Sequence, residues 1–163
     1  MTKLLVLSDS HGGRAAIERV LMKESKSIDA LIFLGDGLRD LELALTLCPK
    51  LRAYSVAGNC DYGALEPTDG LAAFDGVVIF YTHGHMYGVK YDLDTLADAA
   101  AARGAQVALF GHTHIPLAET RGRVFLFNPG SCGRCYTGPN TYGVMLLDKG
   151  KITSFAHKEV PQQ

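Results

Sequence analysis

The chain has 163 residues, a length that suits one domain and leaves little room for two independent catalytic domains. Hydrophobic residues make up 47% of it and charged residues 20%, so we expect a globular protein with a sizeable core. A formal net charge of −1 gives no strong signal for nucleic-acid binding or for attraction to an anionic membrane. No apolar run reaches the ~18 residues that cross a bilayer, and we predict a cytoplasmic protein. We predict one domain over residues 1–160 and a disordered tail at 161–163.

Apolar runs that are typical of buried strands alternate with helical segments through the first two thirds of the chain. Strands are predicted at residues 4–7, 30–34, 54–57, 77–81 and 107–110, of which the third is the weakest. Apolar residues at helical spacing predict three helices, around Ile17, Leu41 and Leu96.

Hairpin signals appear at Asp75-Gly76, Arg121-Gly122 and Lys149-Gly150. The last two join residues 117–120 to 124–127 and residues 142–147 to 152–157. Alternating strands and helices followed by hairpins predict an α/β protein in which two sheets face each other with helices outside.

Each strand predicted before residue 111 is followed by a turn that carries Asp, Asn or His. In chain order these turns read Asp9-Ser10-His11, Gly35-Asp36, Gly58-Asn59-Cys60-Asp61, His83-Gly84-His85 and Gly111-His112-Thr113-His114. In open α/β sheets ligands bind beyond the carboxyl ends of the strands. We therefore expect the turns to line one cleft.

The turns supply carboxylates, an amide and imidazoles, which together form a metal-ligand set. The first choice of ligands is Asp9, His11, Asp36, Asn59, His83, His112 and His114. Oxygen and nitrogen donors without a required thiolate suit Mn²⁺, Fe or Zn²⁺. These donors are too many for one tetrahedral ion, but two ions that share a bridging carboxylate would use them all. With two aspartates and a bridging hydroxide, such a centre carries a charge of about +1, which favours an anionic phosphoryl substrate.

Together with Asn128-Pro129-Gly130-Ser131, these motifs resemble those of the calcineurin-like metallophosphoesterase superfamily. The resemblance is to its small single-domain branch of bacterial and archaeal phosphodiesterases, and it runs from Asp9 to about Ser131. It implies a four-layer α/β/β/α sandwich of two mixed β-sheets flanked by helices. It also implies a homo-oligomer, a dimer or a tetramer.

The resemblance further implies how the metals are held. Asp36 bridges the two ions, Asp9, His11 and His114 hold the first, and Asn59, His83 and His112 hold the second. The implied reaction is the hydrolysis of a small phosphodiester by attack of a metal-bridging hydroxide. We expect Mn²⁺ as the metal, with Ni²⁺, Co²⁺, Zn²⁺ or Fe²⁺ as alternatives.

Catalytic roles are predicted for Asp36, Asn59, His83 and His85. Many members of the superfamily have a His after the motif Asn that can protonate the leaving group, whereas this chain has Cys60. A diester with an acidic leaving alcohol needs little protonation, which favours diesters, and His85 or a metal-bound water is the alternative donor. Arg134 is a predicted substrate contact, because a guanidinium suits phosphate oxygens.

Three other functions remain open at this point. The same centre could hydrolyse phosphomonoesters, or the fold could serve as a non-catalytic metal-binding scaffold for protein partners, as in the similar retromer subunit of eukaryotes. A thiol-disulfide function of Cys132 and Cys135 predicts a thiol of low pKa. We expect Asp61 to cap or brace the turn that carries Asn59 rather than to contact substrate.

Overall fold

The computed structural model describes all residues from Met1 to Gln163. Three α-helices are present, α1 at Arg14–Glu24, α2 at Leu38–Ala44 and α3 at Asp94–Ala102. Short 3₁₀ turns lie at Leu45–Leu47 and His85–Tyr87. The strands are β1 at Thr2–Leu7, β2 at Ala30–Phe33, β3 at Arg52–Ser55, β4 at Asp69–Phe74, β5 at Val77–Thr82, β6 at Val107–Leu109, β7 at Leu117–Arg121, β8 at Val124–Asn128, β9 at Thr141–Asp148 and β10 at Lys151–Glu159.

The strands form two five-stranded mixed sheets, in the orders β10-β9-β1-β2-β3 and β4-β5-β6-β8-β7. In the first sheet β1, β2 and β3 run parallel, and in the second β5, β6 and β8 do. The predicted two-sheet α/β architecture is thereby confirmed. The carboxyl ends of the parallel strands are the places where connecting turns can build a site.

Alternate residues of the central strands face different layers, as the pleat of a strand requires. Leu4 and Val6 of β1 pack between the sheets with Ile79 of β5 and Leu109 of β6. Residues Leu5 and Leu7 face the other way and pack under α1 and α2, among Ile17, Val20, Leu21 and Leu41. The helix α3 covers the outer face of the second sheet with Leu96, Ala97 and Ala100. The result is the predicted α/β/β/α sandwich.

Three predicted strands end earlier than the sequence suggests. The strand predicted at 30–34 ends at Phe33. The weak strand predicted at 54–57 lies at Arg52–Ser55, because the amide of Ala57 leaves the ladder and donates to Pro67 O at 2.8 Å. The strand predicted at 107–110 ends at Leu109. All three strands end where the chain turns toward the polar cleft.

The predicted hairpins are all present, with β4 and β5, β7 and β8, and β9 and β10 as antiparallel pairs. At the first turn Asp75 and Gly76 have φ of 51° and 81°, the double left-handed geometry of a two-residue hairpin loop. None of the three helices is long and apolar enough to cross a membrane.

Candidate metal centre

The turns after β1, β2, β5 and β6 bring carboxylates and imidazoles from both sheets to one edge of the sandwich. The side chains gather in two groups of possible metal donors, and within each group the donor atoms lie within 4.8 Å of one another. The first group is Asp9, His11 and His114, and the second is Asp36, His83 and His112. The convergence predicted from the strand ends is therefore present for these six residues.

Within the first group, Nε2 of His114 lies 3.2 Å from Oδ1 of Asp9 and 3.2 Å from Nε2 of His11. In the second group, Nε2 of His83 lies 3.3 Å from Oδ2 of Asp36 and 3.1 Å from Nδ1 of His112. Asp36 connects the groups, because its Oδ2 is also 3.5 Å from Nε2 of His11.

Backbone carbonyls fix the orientation of two of these imidazoles. Nδ1 of His83 donates to Leu34 O at 2.7 Å, and Nδ1 of His114 donates to Arg134 O at 2.7 Å. Since a carbonyl only accepts, the proton of each neutral ring is on Nδ1 and the lone pair is on Nε2. Metal-binding histidines commonly have such a partner on the second nitrogen.

The donor set fits a metal ion. Nε2 of His114 lies 3.2 Å from Oδ1 of Asp9, a fully buried oxygen that accepts no hydrogen bond. A buried carboxylate oxygen without a hydrogen-bond partner is unfavourable unless a cation compensates it. Mixed carboxylate and imidazole donors suit Mn²⁺, Fe and Zn²⁺.

Electrostatics keep both carboxylates and His112 in metal-binding form, whereas Asp36 raises the pKa of His83 against the effect of burial, and Asp9 raises the pKa of His114. Burial would raise the pKa of Asp9, but the neighbouring His11 and His114 outweigh it and hold this pKa well below its usual range. Burial also opposes ionisation of Asp36, yet His83 lowers its pKa. Burial together with the nearby charge of His83 lowers the pKa of His112 to about 4. At neutral pH the carboxylates are therefore charged and His112 is neutral, as ligands must be.

The backbone of the site is strained at the donor residues themselves. Outside glycine, positive φ is found at the hairpin positions Asp75 and Lys149 and at five donors: Asp9 at 58°, His11 at 44°, Asp36 at 59°, His112 at 69° and His114 at 64°. Such conformations are costly for residues with a Cβ and cluster at functional sites. The turns thus hold their side chains inward at the expense of local stability.

Asp61 braces two of the turns. Its Oδ2 accepts hydrogen bonds from the amides of Asp36 at 2.7 Å and Gly58 at 2.8 Å. Its Oδ1 accepts from Gly37 at 2.9 Å and Leu38 at 3.0 Å, at the start of α2. The predicted bracing role is confirmed, since one carboxylate ties the turn after β3 to the turn after β2.

Close approach of these turns requires glycine at position 35. Gly35 has φ of 96°, and a Cβ there would lie 2.6 Å from the amide nitrogen of Gly58 and 3.0 Å from Nδ1 of His83. Any side chain would push Asp36 away from the centre. This is the physical reason for Gly before Asp at this strand end.

The Asn128 to Ser131 segment braces the remaining turns. Nδ2 of Asn128 donates to Gly111 O and to Thr113 Oγ1, both at 3.0 Å. The hydroxyl of Ser131 donates to Asp9 O at 2.7 Å. The motif therefore positions the metal donors through hydrogen bonds.

Asn59 differs from the other predicted ligands in its surroundings. It is exposed, and its Nδ2 lies 3.6 Å from Sγ of Cys60. Cys60 forms a third donor group with His11 and Asp36, which the sequence analysis did not anticipate. The available signal was its place between Asn59 and Asp61 in the same turn.

His85 lies beside the second donor group. Its ring centroid is 5.4 Å from that of His83 and 6.1 Å from that of His112. Its Nδ1 is buried and has no hydrogen-bond partner. A buried nitrogen without a partner is available to an incoming group.

Arg134 takes part in the site through its backbone, whose carbonyl orients His114. Its side chain is exposed, and its contact with substrate stays a prediction.

The structure argues against thiol-disulfide chemistry. Cys132 and Cys135 are free thiols, and burial raises the pKa of the fully buried Cys132. A redox-active thiol needs a lowered pKa and access to its partner, so this hypothesis fails.

The fold and the donor set together are those of a metallophosphoesterase. Residues 2–150 match the model of the calcineurin-like phosphoesterase superfamily domain, and the chain belongs to that superfamily. The probable metallophosphoesterase YsnB of Bacillus subtilis is 34% identical over 129 residues, covering 78% of this chain and 73% of YsnB.

Phosphodiesterase YfcE of Escherichia coli is 33% identical over 171 aligned positions, covering 91% of this chain and 89% of YfcE. The solved structure of YfcE matches with a TM-score of 0.69 at 27% identity, covering 98% of this chain and 100% of that one. Vacuolar Protein Sorting 29 from Cryptosporidium parvum matches with a TM-score of 0.76 but 14% identity, covering 97% and 98% of the two chains, which is a likeness of fold alone.

Proposed function

We propose that the protein is a metal-dependent phosphodiesterase with a dinuclear centre that uses Mn²⁺. One observation carries the proposal: two groups of oxygen and nitrogen donors meet at Asp36, and Oδ1 of Asp9, which accepts no hydrogen bond, lies 3.2 Å from Nε2 of His114. The phosphodiesterase name of the Escherichia coli relative supports the choice of diesters.

The residues would divide between the ions according to the two groups. Asp9, His11 and His114 would hold the first ion, and His83, His112 and Asn59 the second. Oδ2 of Asp36, close to Nε2 of His11 and of His83, supports its assignment as the bridge. When bound, such ions neutralise charge on the phosphoryl oxygens and lower the pKa of a coordinated water.

The protein's own groups then orient the substrate. The free Nδ1 of His85 is available to hold an oxygen of the phosphoryl group or of the leaving alcohol. Cys60 stands where many members of the superfamily have a protonating His, and burial raises the pKa of its thiol. The chain is therefore better suited to alcohols that depart with little protonation, as in activated diesters.

Hydrolysis of bis(p-nitrophenyl) phosphate and p-nitrophenyl phosphate tests the proposal. The protein is stripped with a chelator and assayed before and after Mn²⁺ is restored. We expect turnover that depends on the metal and favours the diester. Preference for the monoester would assign the chain to phosphomonoesterases. Binding of two metal ions without hydrolysis of either ester would favour a non-catalytic metal-binding scaffold.

Variants at the bridge and the amide sharpen this test. Asp36→Asn and Asn59→Ala should abolish turnover and reduce the metal content, measured by elemental analysis of desalted protein. Asp98→Asn removes the same charge from an exposed position on α3 and should change neither. Full activity in both site variants contradicts the proposed ligand set.

A further inference from the structure

A large cavity adjoins the candidate metal centre and is lined by none of the proposed metal ligands. It has a volume of about 790 Å³ and lies between α2, β3 and the loop 60–66. A smaller cavity of about 200 Å³ lies at the centre itself, against Asp36. Both are lined by Arg39, Cys60 and Asp61, so the larger cavity continues from the smaller one.

The size of the large cavity exceeds what a phosphate group needs. Sites for organic ligands typically have volumes of roughly 300–1,000 Å³. A phosphodiester carries two organic arms, and the cavity is wide enough for one arm of nucleoside size.

The lining of the large cavity includes apolar side chains and one aromatic ring. Leu38 and Leu41 of α2 and Ala53 of β3 form apolar parts of the lining. Tyr62, whose side chain is 89% exposed, stands on the loop side. An exposed tyrosine beside apolar residues is suited to stack on a planar group.

Charged groups divide the cavity into two ends. Arg39 lines both cavities, is exposed and forms no hydrogen bond or ion pair, so its guanidinium is free for phosphoryl oxygens at the junction. Glu42 and Glu66 line only the large cavity and are likewise without ion pairs. Carboxylates repel a second phosphate and accept hydrogen bonds from N–H and O–H groups.

The position of the cavity indicates which arm it takes. His85, with its free Nδ1, lies beside His83 and His112, whereas the large cavity borders Cys60 and Asp61. The group able to assist departure is therefore on the other side of the centre, and the cavity is left for the arm that stays on phosphorus.

We infer that this cavity binds the retained arm of the phosphodiester and that the arm is a nucleoside. A nucleoside is neutral, presents a planar base to Tyr62 and carries N–H and O–H donors for Glu42 and Glu66. This assignment rests on the proposed phosphodiesterase function.

Two esters with the same leaving group test the assignment. The 4-nitrophenyl ester of thymidine 5′-phosphate and methyl 4-nitrophenyl phosphate differ only in the retained arm. We expect kcat/KM of the Mn²⁺-loaded protein to be at least about tenfold higher for the thymidine ester, the smallest gain expected from filling a pocket.

Filling the cavity should remove this preference. Two substitutions each place a large side chain in the cavity: Ala64→Trp, at a half-buried position of the loop 60–66, and Ala53→Trp, on β3. Each should bring the two kcat/KM values within about threefold of each other. Ala102→Trp at the exposed C-terminal end of α3 is the matched control and should keep the preference.

The outcomes separate the two levels of the proposal. Equal use of both esters by the wild type, or a preference that survives both filling variants, overturns the nucleoside assignment and leaves the phosphodiesterase intact. If the Mn²⁺-loaded wild type hydrolyses neither ester, the proposed function fails. Calorimetric titration with thymidine 5′-phosphate then tests whether the cavity binds a nucleoside. Weaker binding by a folded Ala64→Trp or Ala53→Trp then supports it, and equal or absent binding overturns it.

Discussion

Two buried carboxylates, Glu24 and Asp9, show how differently the molecule treats the same chemical group. Glu24 is 3% exposed, and its Oε1 accepts from the hydroxyl of Tyr142 at 2.7 Å and from Nζ of Lys158 at 2.9 Å, while Nζ of Lys3 lies 3.5 Å from Oε2. Asp9 is fully buried, and its Oδ1 accepts nothing. The partners of Glu24 all lie within the chain, whereas Asp9 has one oxygen that no group of the chain satisfies and that is suited to a bound cation.

The largest effect is expected from removing the unpartnered charge. Asp9→Asn should reduce diester turnover by more than about 100-fold, because loss of a residue that only orients a ligand already costs ~10–100-fold. Turnover with Mn²⁺ measures the effect, and activity equal to that of Asp98→Asn would contradict a metal-ligand role for Asp9.

A smaller effect on metal binding is expected at Asp61, which hydrogen-bonds to the turns that carry the donors. Asp61→Asn replaces one acceptor oxygen by an amide that faces backbone N–H donors, so the turns after β2 and β3 lose two of their four shared hydrogen bonds. The affinity for Mn²⁺ should fall by roughly 10–100-fold, measured by calorimetric titration. An affinity equal to that of Asp98→Asn would show that the turns keep their geometry without the brace.

The smallest effect is expected at the satisfied carboxylate, and it is one of stability. Glu24→Gln should lower the free energy of unfolding by about 1–3 kcal/mol, measured by urea denaturation, with diester turnover unchanged in Mn²⁺. Burial opposes ionisation of Glu24, but Tyr142 and Lys158 outweigh it and lower its pKa.

Because the folded pKa of Glu24 is below the unfolded one, the unfolded chain takes up the proton first as the pH falls. The stabilisation is present above the unfolded pKa of ~4.3 and is lost as the pH falls through the folded value. With chelator in both samples, the stability difference between wild type and Glu24→Gln should therefore shrink below about pH 4. A difference that does not change with pH would exclude an ionised Glu24 as the cause.

Much of the fold could be predicted from local patterns. The strand ends were predictable because buried parallel strands appear as short apolar runs and the turns after them as Gly, Asp and His. The ends of β2, β3 and β6 lie one or two residues earlier than predicted, and at β3 the amide of Ala57 finds its partner outside the ladder. The Gly35-Asp36 turn was predictable because only glycine permits that approach.

Side-chain partnerships across long sequence separations could not be predicted. Tyr142 and Glu24 are 118 residues apart, and neither belongs to a motif. The direction of the Asn59 side chain and the donor position of Cys60 depend on rotamers within one turn. The large cavity depends on how loop 60–66 lies over α2, which composition does not determine.

The two donor groups proposed to hold the ions each combine residues from both sheets, with His11 and His114 separated by 103 positions in the chain. Neither sheet alone supplies either of these two groups, so the proposed dinuclear centre is complete only after the sheets have docked. Ions bound here would fasten the two sheets at one edge and resist their sliding apart. Metal binding at this centre would then follow the docking of the two sheets. The rate of metal uptake by a refolding chain would measure that docking step.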